Sequence, residues 1–82
     1  MGQWDQLLSA ILAKDKNLCF DDLSKALERI GYRKNQPRGG SSHYTFRKAG
    51  CFPIAIPKQQ PLNRAYIELV SEAVRAALAE EE

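Results

Sequence analysis

The sequence predicts an α+β fold in which helices cover one face of a three-stranded antiparallel sheet. Apolar residues recur at helical spacing near both ends of the chain, whereas the middle changes to a spacing of about two. Most of the four prolines and five glycines lie between Gly31 and Pro61, which disfavours an all-helical fold. The predicted element order is α-α-β-β-β-α, which is typical of a two-layer domain.

Two amphipathic helices are predicted in the first third of the chain. Residues 4–13 place apolar side chains at the i, i+3, i+4 and i+7 positions of one helical face. After a loop at residues 14–17, a second helix opens at Phe20, with Asp21 as its N-cap. Gly31 ends this helix because glycine readily adopts the left-handed conformation of a helix terminus.

Three strands and a last helix follow. The strands are predicted at residues 32–36, 43–47 and 52–57, with a loop at 37–42 and a turn at 48–50. Pro53 and Pro57 cannot donate ladder hydrogen bonds, so they should lie at an open edge or at the strand ends. The final helix should begin after Asn63 as cap and fray into the acidic residues 80–82. Its buried face is predicted to contain Ile67, Val70, Val74 and Leu78.

The chain of 82 residues holds enough sequence for one compact core. We expect a single domain over residues 1–82, with an N-terminal helix and loop at 1–17 and the core at 20–78. No apolar run approaches the ~20 residues needed to cross a bilayer, and the N-terminus has no basic segment typical of export signals. A cytoplasmic protein without a membrane contact is therefore expected.

The cysteines and the histidine are few and lack the spacing of metal ligands. The chain has two cysteines and one histidine, whereas a structural zinc site takes four such ligands. We therefore expect no metal and no cofactor. Cys19 and Cys51 could form a disulfide with each other, but we expect two buried, reduced thiols, because secreted domains of this size usually carry two or more disulfides.

Charge is segregated along the sequence. The net charge is only +2, yet the ten acidic residues all lie outside the stretch from Arg29 to Ile67. That stretch contains eight basic residues: Arg29, Arg33, Lys34, Arg38, Arg47, Lys48, Lys58 and Arg64. Such one-signed clustering favours a polyanionic partner such as a nucleic acid. The alternative is that folding restores a mixed surface.

His43 is the residue best suited to chemistry. Histidine can both accept and donate a proton near neutral pH. Strand alternation places His43, Thr45 and Arg47 on one face and turns Tyr44 and Phe46 towards the helices. His43 with the cations Arg38, Arg47, Lys48 and Lys58 has the groups that metal-independent RNA cleavage requires. The other interpretation is that a lone histidine is a plain surface or core residue.

The loop before His43 offers further phosphate contacts. Gly40 permits a close backbone approach, and the hydroxyls of Ser41 and Ser42 can donate to phosphate oxygens. A simple hairpin connection explains the same residues. The loop lacks the spacing of a nucleotide-binding P-loop. A serine hydrolase triad is also disfavoured, because the basic stretch contains no acidic residue to complete it.

Three segments together resemble the HicA family of toxin–antitoxin systems. They are residues 22–32 (DLSKALERIGY), 39–47 (GGSSHYTFR) and 54–57 (IAIP), and the resemblance spans roughly residues 20–74. It implies a double-stranded-RNA-binding-like fold, ribonuclease activity on mRNA with His43 as the active-site histidine, and a HicB-like antitoxin in a hetero-oligomer. Aligned on His43, the family's glycine falls at Ser41, so the preceding loop departs from the family pattern.

Two other functions compete with the toxin. A non-catalytic RNA-binding module could use the same basic sheet face. A protein-interaction domain could use that face for an acidic partner. A DNA-binding helix-turn-helix is disfavoured because the basic residues fall mainly in strands and loops.

Overall fold

A computed structural model describes residues 3–36, 43–58 and 62–80, and within them it contains three helices and three strands. The α+β class and the α-α-β-β-β-α order confirm the sequence prediction. The elements are α1 (Gln3–Leu12), α2 (Phe20–Arg29), β1 (Arg33–Asn35), β2 (His43–Arg47), β3 (Ile54–Pro57) and α3 (Arg64–Glu80).

The strands form one antiparallel sheet in the order β1-β2-β3, so β2 is central. Arg33 lies opposite Arg47, and Asn35 lies opposite Thr45. On the other side of β2, His43 lies opposite Pro57. The predicted loop at 37–42, which joins β1 to β2, lies outside the described residues.

The core lies between the helices and one face of the sheet. Phe46 is fully buried and Tyr44 is half-buried, as strand alternation predicted. Both rings pack on Phe20 of α2, with centroid distances of 5.0 Å for Tyr44 and 6.2 Å for Phe46. Ile11 of α1 is also fully buried, so the N-terminal helix contributes to the same core.

The ends of α2 show one wrong prediction and one correct one. The helix begins one residue before Asp21, and its N-cap is Cys19 rather than Asp21. The carboxylate of Asp22 accepts a hydrogen bond from the Cys19 backbone N–H at 3.1 Å, so the acid stabilises the helix start from inside the first turn. At the other end Gly31 has a φ of +109°, which confirms its predicted role.

The outer strands are shorter than predicted. Pro53 precedes β3 and Pro57 is its last residue, so both prolines lie at the ends of an edge strand, as expected. The predicted turn after β2 is present, because the Cys51 N–H donates to the Lys48 carbonyl at 3.0 Å.

Helix α3 begins and packs as predicted. The Asn63 side chain accepts a hydrogen bond from the Ala65 N–H at 2.8 Å, which caps the helix. Ile67, Val70 and Val74 are buried, and Leu78 is half-buried. The helix continues through Glu80, the first of the residues expected to fray.

The prediction of buried thiols is wrong. Both cysteines are free, but Cys19 is half-buried and Cys51 is exposed. Cys19 lies at a helix start and Cys51 at the end of a turn, and both positions lie at the margin of the core.

No helix in the described part of the chain is both long enough and apolar enough to cross a membrane.

Ser71 is the anomaly in this core. Its side chain on α3 is fully buried, and its hydroxyl has no hydrogen-bond partner among the described residues. A buried hydroxyl that loses water without gaining a partner costs about 1–3 kcal/mol. We therefore expect Ser71→Ala to raise the free energy of unfolding, as measured by urea denaturation.

Ser9→Ala is the matched control for Ser71→Ala. Ser9 is an exposed residue of α1, so its substitution changes helix propensity alone. Ser71→Ala should stabilise the fold by about 1 kcal/mol more than Ser9→Ala does. Equal effects of the two substitutions would show that the Ser71 hydroxyl carries no desolvation cost.

Candidate nucleic-acid interface

The sheet has one face that the helices leave uncovered, which we call the open face. Residues directly opposite one another in an antiparallel pair project to the same side. Phe46 projects to the helices, so its neighbours along β2 and their cross-strand partners project away. The open face therefore consists of Arg33, Asn35, His43, Thr45, Arg47 and Ala55, whereas Pro57, the partner of His43, is buried.

Two arginines face each other across the open face. Arg33 and Arg47 are direct cross-strand partners, and both are exposed. Like charges in this arrangement repel and destabilise a sheet. No acidic residue lies between positions 29 and 67 of the sequence, so no member of the open face balances this charge. The pair is suited to a polyanion that passes over β1 and β2.

His43 lies at the opposite end of the same face. It is exposed, and it lies four residues before Arg47 along β2. At about 3.3 Å per residue the two backbone positions are ~13 Å apart, so His43 and Arg47 occupy opposite ends of β2. Lys58 is exposed and follows Pro57, the partner of His43, so it lies at the His43 end of the sheet.

Lys48 is held by other interactions. Its ammonium lies 4.0 Å from the Glu80 carboxylate of α3 and 5.8 Å from the centroid of the Tyr32 ring. Only 24% of its side chain is exposed. The structure therefore brings Arg47 and His43 onto one face but directs Lys48 towards α3. An RNA contact by Lys48 requires the ion pair with Glu80 to open.

The remaining predicted contacts are Arg38, Gly40, Ser41 and Ser42, and all of them lie outside the described residues. Arg33 was missed as a site residue, although it belonged to the basic stretch. The alternation of β1 puts it on the same face as Asn35, but the register that sets it opposite Arg47 depends on the β1–β2 connection. That register could not be read from the strand sequence alone.

Metal ligands are not clustered in the described residues. Nowhere within these ranges do three or more histidine, cysteine, aspartate or glutamate side chains meet in an arrangement that could hold a metal ion.

Comparison with protein families, with characterised proteins and with solved structures finds no significant match to this chain.

Next to Lys48, the phenol of Tyr32 has an unusual environment. Its pKa is raised above the usual 10.0, first because the ring is buried. The Tyr32 hydroxyl also donates a hydrogen bond to Cys51, and the negative charges of Cys51 and Glu80 at alkaline pH add to the shift. All of these effects favour the protonated phenol.

This raised pKa predicts a loss of stability at alkaline pH. The unfolded chain releases the phenol proton near pH 10.0, before the folded chain does. The contribution of Tyr32 is therefore complete below pH 10.0 and declines as the pH rises through the folded pKa. Measured by urea denaturation between pH 8 and pH 12, the free energy of unfolding should fall less steeply with pH for Tyr32→Phe than for the wild type.

Cys51→Ala separates the causes of this shift. It removes the hydrogen bond and one negative charge but leaves Tyr32 buried, so it should reduce the decline only in part. If the free energy of unfolding fell equally with pH in the wild type and in Tyr32→Phe, the raised pKa of Tyr32 would not contribute to the loss of stability.

Proposed function

We propose that this protein is a HicA-like endoribonuclease toxin that cleaves mRNA bound along the open face. The observation that carries the proposal is the Arg33–Arg47 pair on the same face as His43, the single histidine of the chain. A pair of opposed arginines is costly to the sheet, and a bound phosphate backbone offsets that cost.

The chemistry assigns proton transfer to His43. Its imidazole takes the proton of a ribose 2′-hydroxyl, and the resulting oxygen attacks the adjacent phosphorus. The bond from phosphorus to the 5′-oxygen breaks, and that oxygen receives a proton from the imidazolium or from water. The products are a 2′,3′-cyclic phosphate and a 5′-hydroxyl. Lys58 supplies positive charge beside the reacting phosphate, and the arginine pair holds the strand further along.

The fold and the partner belong to the same proposal. The order α2-β1-β2-β3-α3, with the helices on one side of the sheet, supports a double-stranded-RNA-binding-like fold. A HicB-like antitoxin would neutralise the toxin by covering the open face, in a toxin–antitoxin hetero-oligomer in the cytoplasm. Acidic residues in that antitoxin would complement the arginine pair.

A non-catalytic RNA-binding module is the second candidate. One observation favours it: the open-face residues include one imidazole, that of His43, and no carboxyl group, whereas cleavage uses both a base and an acid. Such a module would bind RNA through the same arginine pair and release no product.

The arginine pair predicts the binding behaviour. Arg33→Ala and Arg47→Ala should each weaken RNA binding for every sequence tested, because phosphate contacts carry no sequence information. The slope of log K against log salt should become shallower by about 0.7 for each phosphate that the variant no longer neutralises. Fluorescence anisotropy with labelled single-stranded RNA measures both the affinity and its dependence on salt. Arg75→Ala, at an exposed position of α3, is the matched control for removal of a charge and should change neither.

Arg33→Glu distinguishes impaired binding from impaired folding. It replaces a repulsive cross-strand pair with an attractive one, so it should stabilise the fold by about 0.2–1 kcal/mol. The same substitution should weaken RNA binding more than Arg33→Ala does. Undiminished RNA binding in Arg33→Glu would remove the arginine pair from the interface.

Cleavage is tested by His43→Ala. We expect the rate of RNA cleavage to fall by about 100- to 10,000-fold, which is the usual contribution of a general acid or base. Growth arrest on expression should disappear with it. Binding should persist, because the arginine pair is unchanged.

Two substrate conditions complete the cleavage test. EDTA should leave cleavage by the wild type unchanged, and a fully 2′-deoxy strand should resist cleavage. Cleavage by His43→Ala at the wild-type rate would eliminate the catalytic role. Wild-type protein that binds RNA but never yields a product would establish the binding module instead.

A further inference from the structure

Phe52 is the most exposed large apolar side chain of the described residues. It is 92% exposed and lies in the segment between β2 and β3. Burying a phenylalanine side chain usually stabilises a fold, yet this ring gains nothing from the core. A single exposed ring is ordinary by itself, so its surroundings decide whether it has a role.

Phe52 lies near the end of the sheet that carries the arginine pair. Ile54, the first residue of β3, pairs with Phe46, and Arg47 is the next residue of β2. Phe52 precedes Ile54 by two residues, so it lies at the end of the sheet where Arg47 meets Arg33. His43 is at the other end. The Phe52 ring therefore lies beyond the end of β3 that is nearest the arginine pair.

The local backbone limits the conformations of Phe52, and there is open space at the neighbouring turn. Pro53 restricts the preceding residue to extended conformations, which lowers the entropy cost when the ring is used in binding. Gly50, with a φ of +80°, shapes the turn, and a Cβ built on it would meet nothing within 4 Å. Gly50, Cys51 and Phe52 line a shallow, open depression.

We propose that Phe52 stacks on an unpaired nucleobase of single-stranded RNA bound along the open face. This inference rests on the proposed RNA binding and makes its substrate class specific. The arginine pair holds the phosphates, and the ring takes a base that the adjacent backbone presents. The bases of a duplex are stacked on one another, so only an unpaired base exposes a face to the ring.

A panel of substitutions at Phe52 tests the stacking. Phe52→Ala removes the ring, Phe52→Leu keeps an apolar side chain without an aromatic face, and Phe52→Trp keeps an aromatic face. All variants are made in full-length His43→Ala protein so that the RNA stays intact. The probe is a fluorescein-labelled mixed-sequence RNA of about twelve nucleotides, either single-stranded or annealed to its complement. Binding is measured by anisotropy at low salt.

We expect Phe52→Ala and Phe52→Leu to weaken single-stranded binding by roughly 5- to 100-fold, the range for one stacked base. Phe52→Trp should bind like the parent, and none of the three should change duplex binding. Because the ring is exposed, thermal unfolding midpoints equal to that of the parent are expected for all three.

The other outcomes overturn the inference in distinguishable ways. Parent-like binding by Phe52→Ala removes the ring from the RNA and leaves the proposed RNA binding standing; the ring would then serve a protein contact. Parent-like binding by Phe52→Leu alone reveals an apolar contact rather than stacking. A parent that binds no RNA at low salt overturns both this inference and the proposed function.

Discussion

The packing of Phe46 on Phe20 determines which face of the sheet is covered. Side chains alternate along a strand, so the burial of Phe46 forces His43, Thr45 and Arg47 to the other side. A register slip of one residue would bury Arg47 against the helices and expose the aromatic ring. The burial of Phe46 therefore determines both which side chains of β2 join the hydrophobic core and which ones form the open face. A change in one set would change the other.

Positive charge is handled differently on the two sides of the sheet. On the helix side Lys48 has the Glu80 carboxylate and the Tyr32 ring as partners, and Lys34 lies 6.0 Å from the centroid of the Tyr44 ring. On the open face Arg33 and Arg47 face each other without an acidic neighbour in the basic stretch. The fold thus uses its helix-side cations for its own stability, while the open face retains repulsion that an external anion can relieve.

Sequence periodicity gave the correct order of elements, because each helix has one apolar stripe and β2 alternates cleanly. It also identified the ends that depend on special residues, such as Gly31 and Asn63. It failed at the start of α2, where Asp21 was predicted as the N-cap. The N-cap is Cys19, and its backbone N–H donates to the carboxylate of Asp22 inside the first turn.

The candidate site was less predictable than the fold. The sequence indicated that His43 and Arg47 share a face, since both belong to one strand. It could not indicate that Arg33 lies opposite Arg47, because register depends on pairing between strands. Nor could it show that Lys48 is engaged by Glu80, which lies thirty-two positions further along the chain and reaches Lys48 only when α3 packs.

The two outer strands have a consequence for the behaviour of the protein at high concentration. Among the residues that the structure describes, β1 and β3 each have an unpaired edge, which could recruit strands from other molecules. β1 is only three residues long and carries Arg33 and Lys34, whereas β3 is bounded by Pro53 and Pro57. Short length, charge and proline each oppose edge-to-edge association. The cations of β1 therefore also protect the chain from aggregation, so reducing the charge of this strand would compromise solubility together with ligand binding.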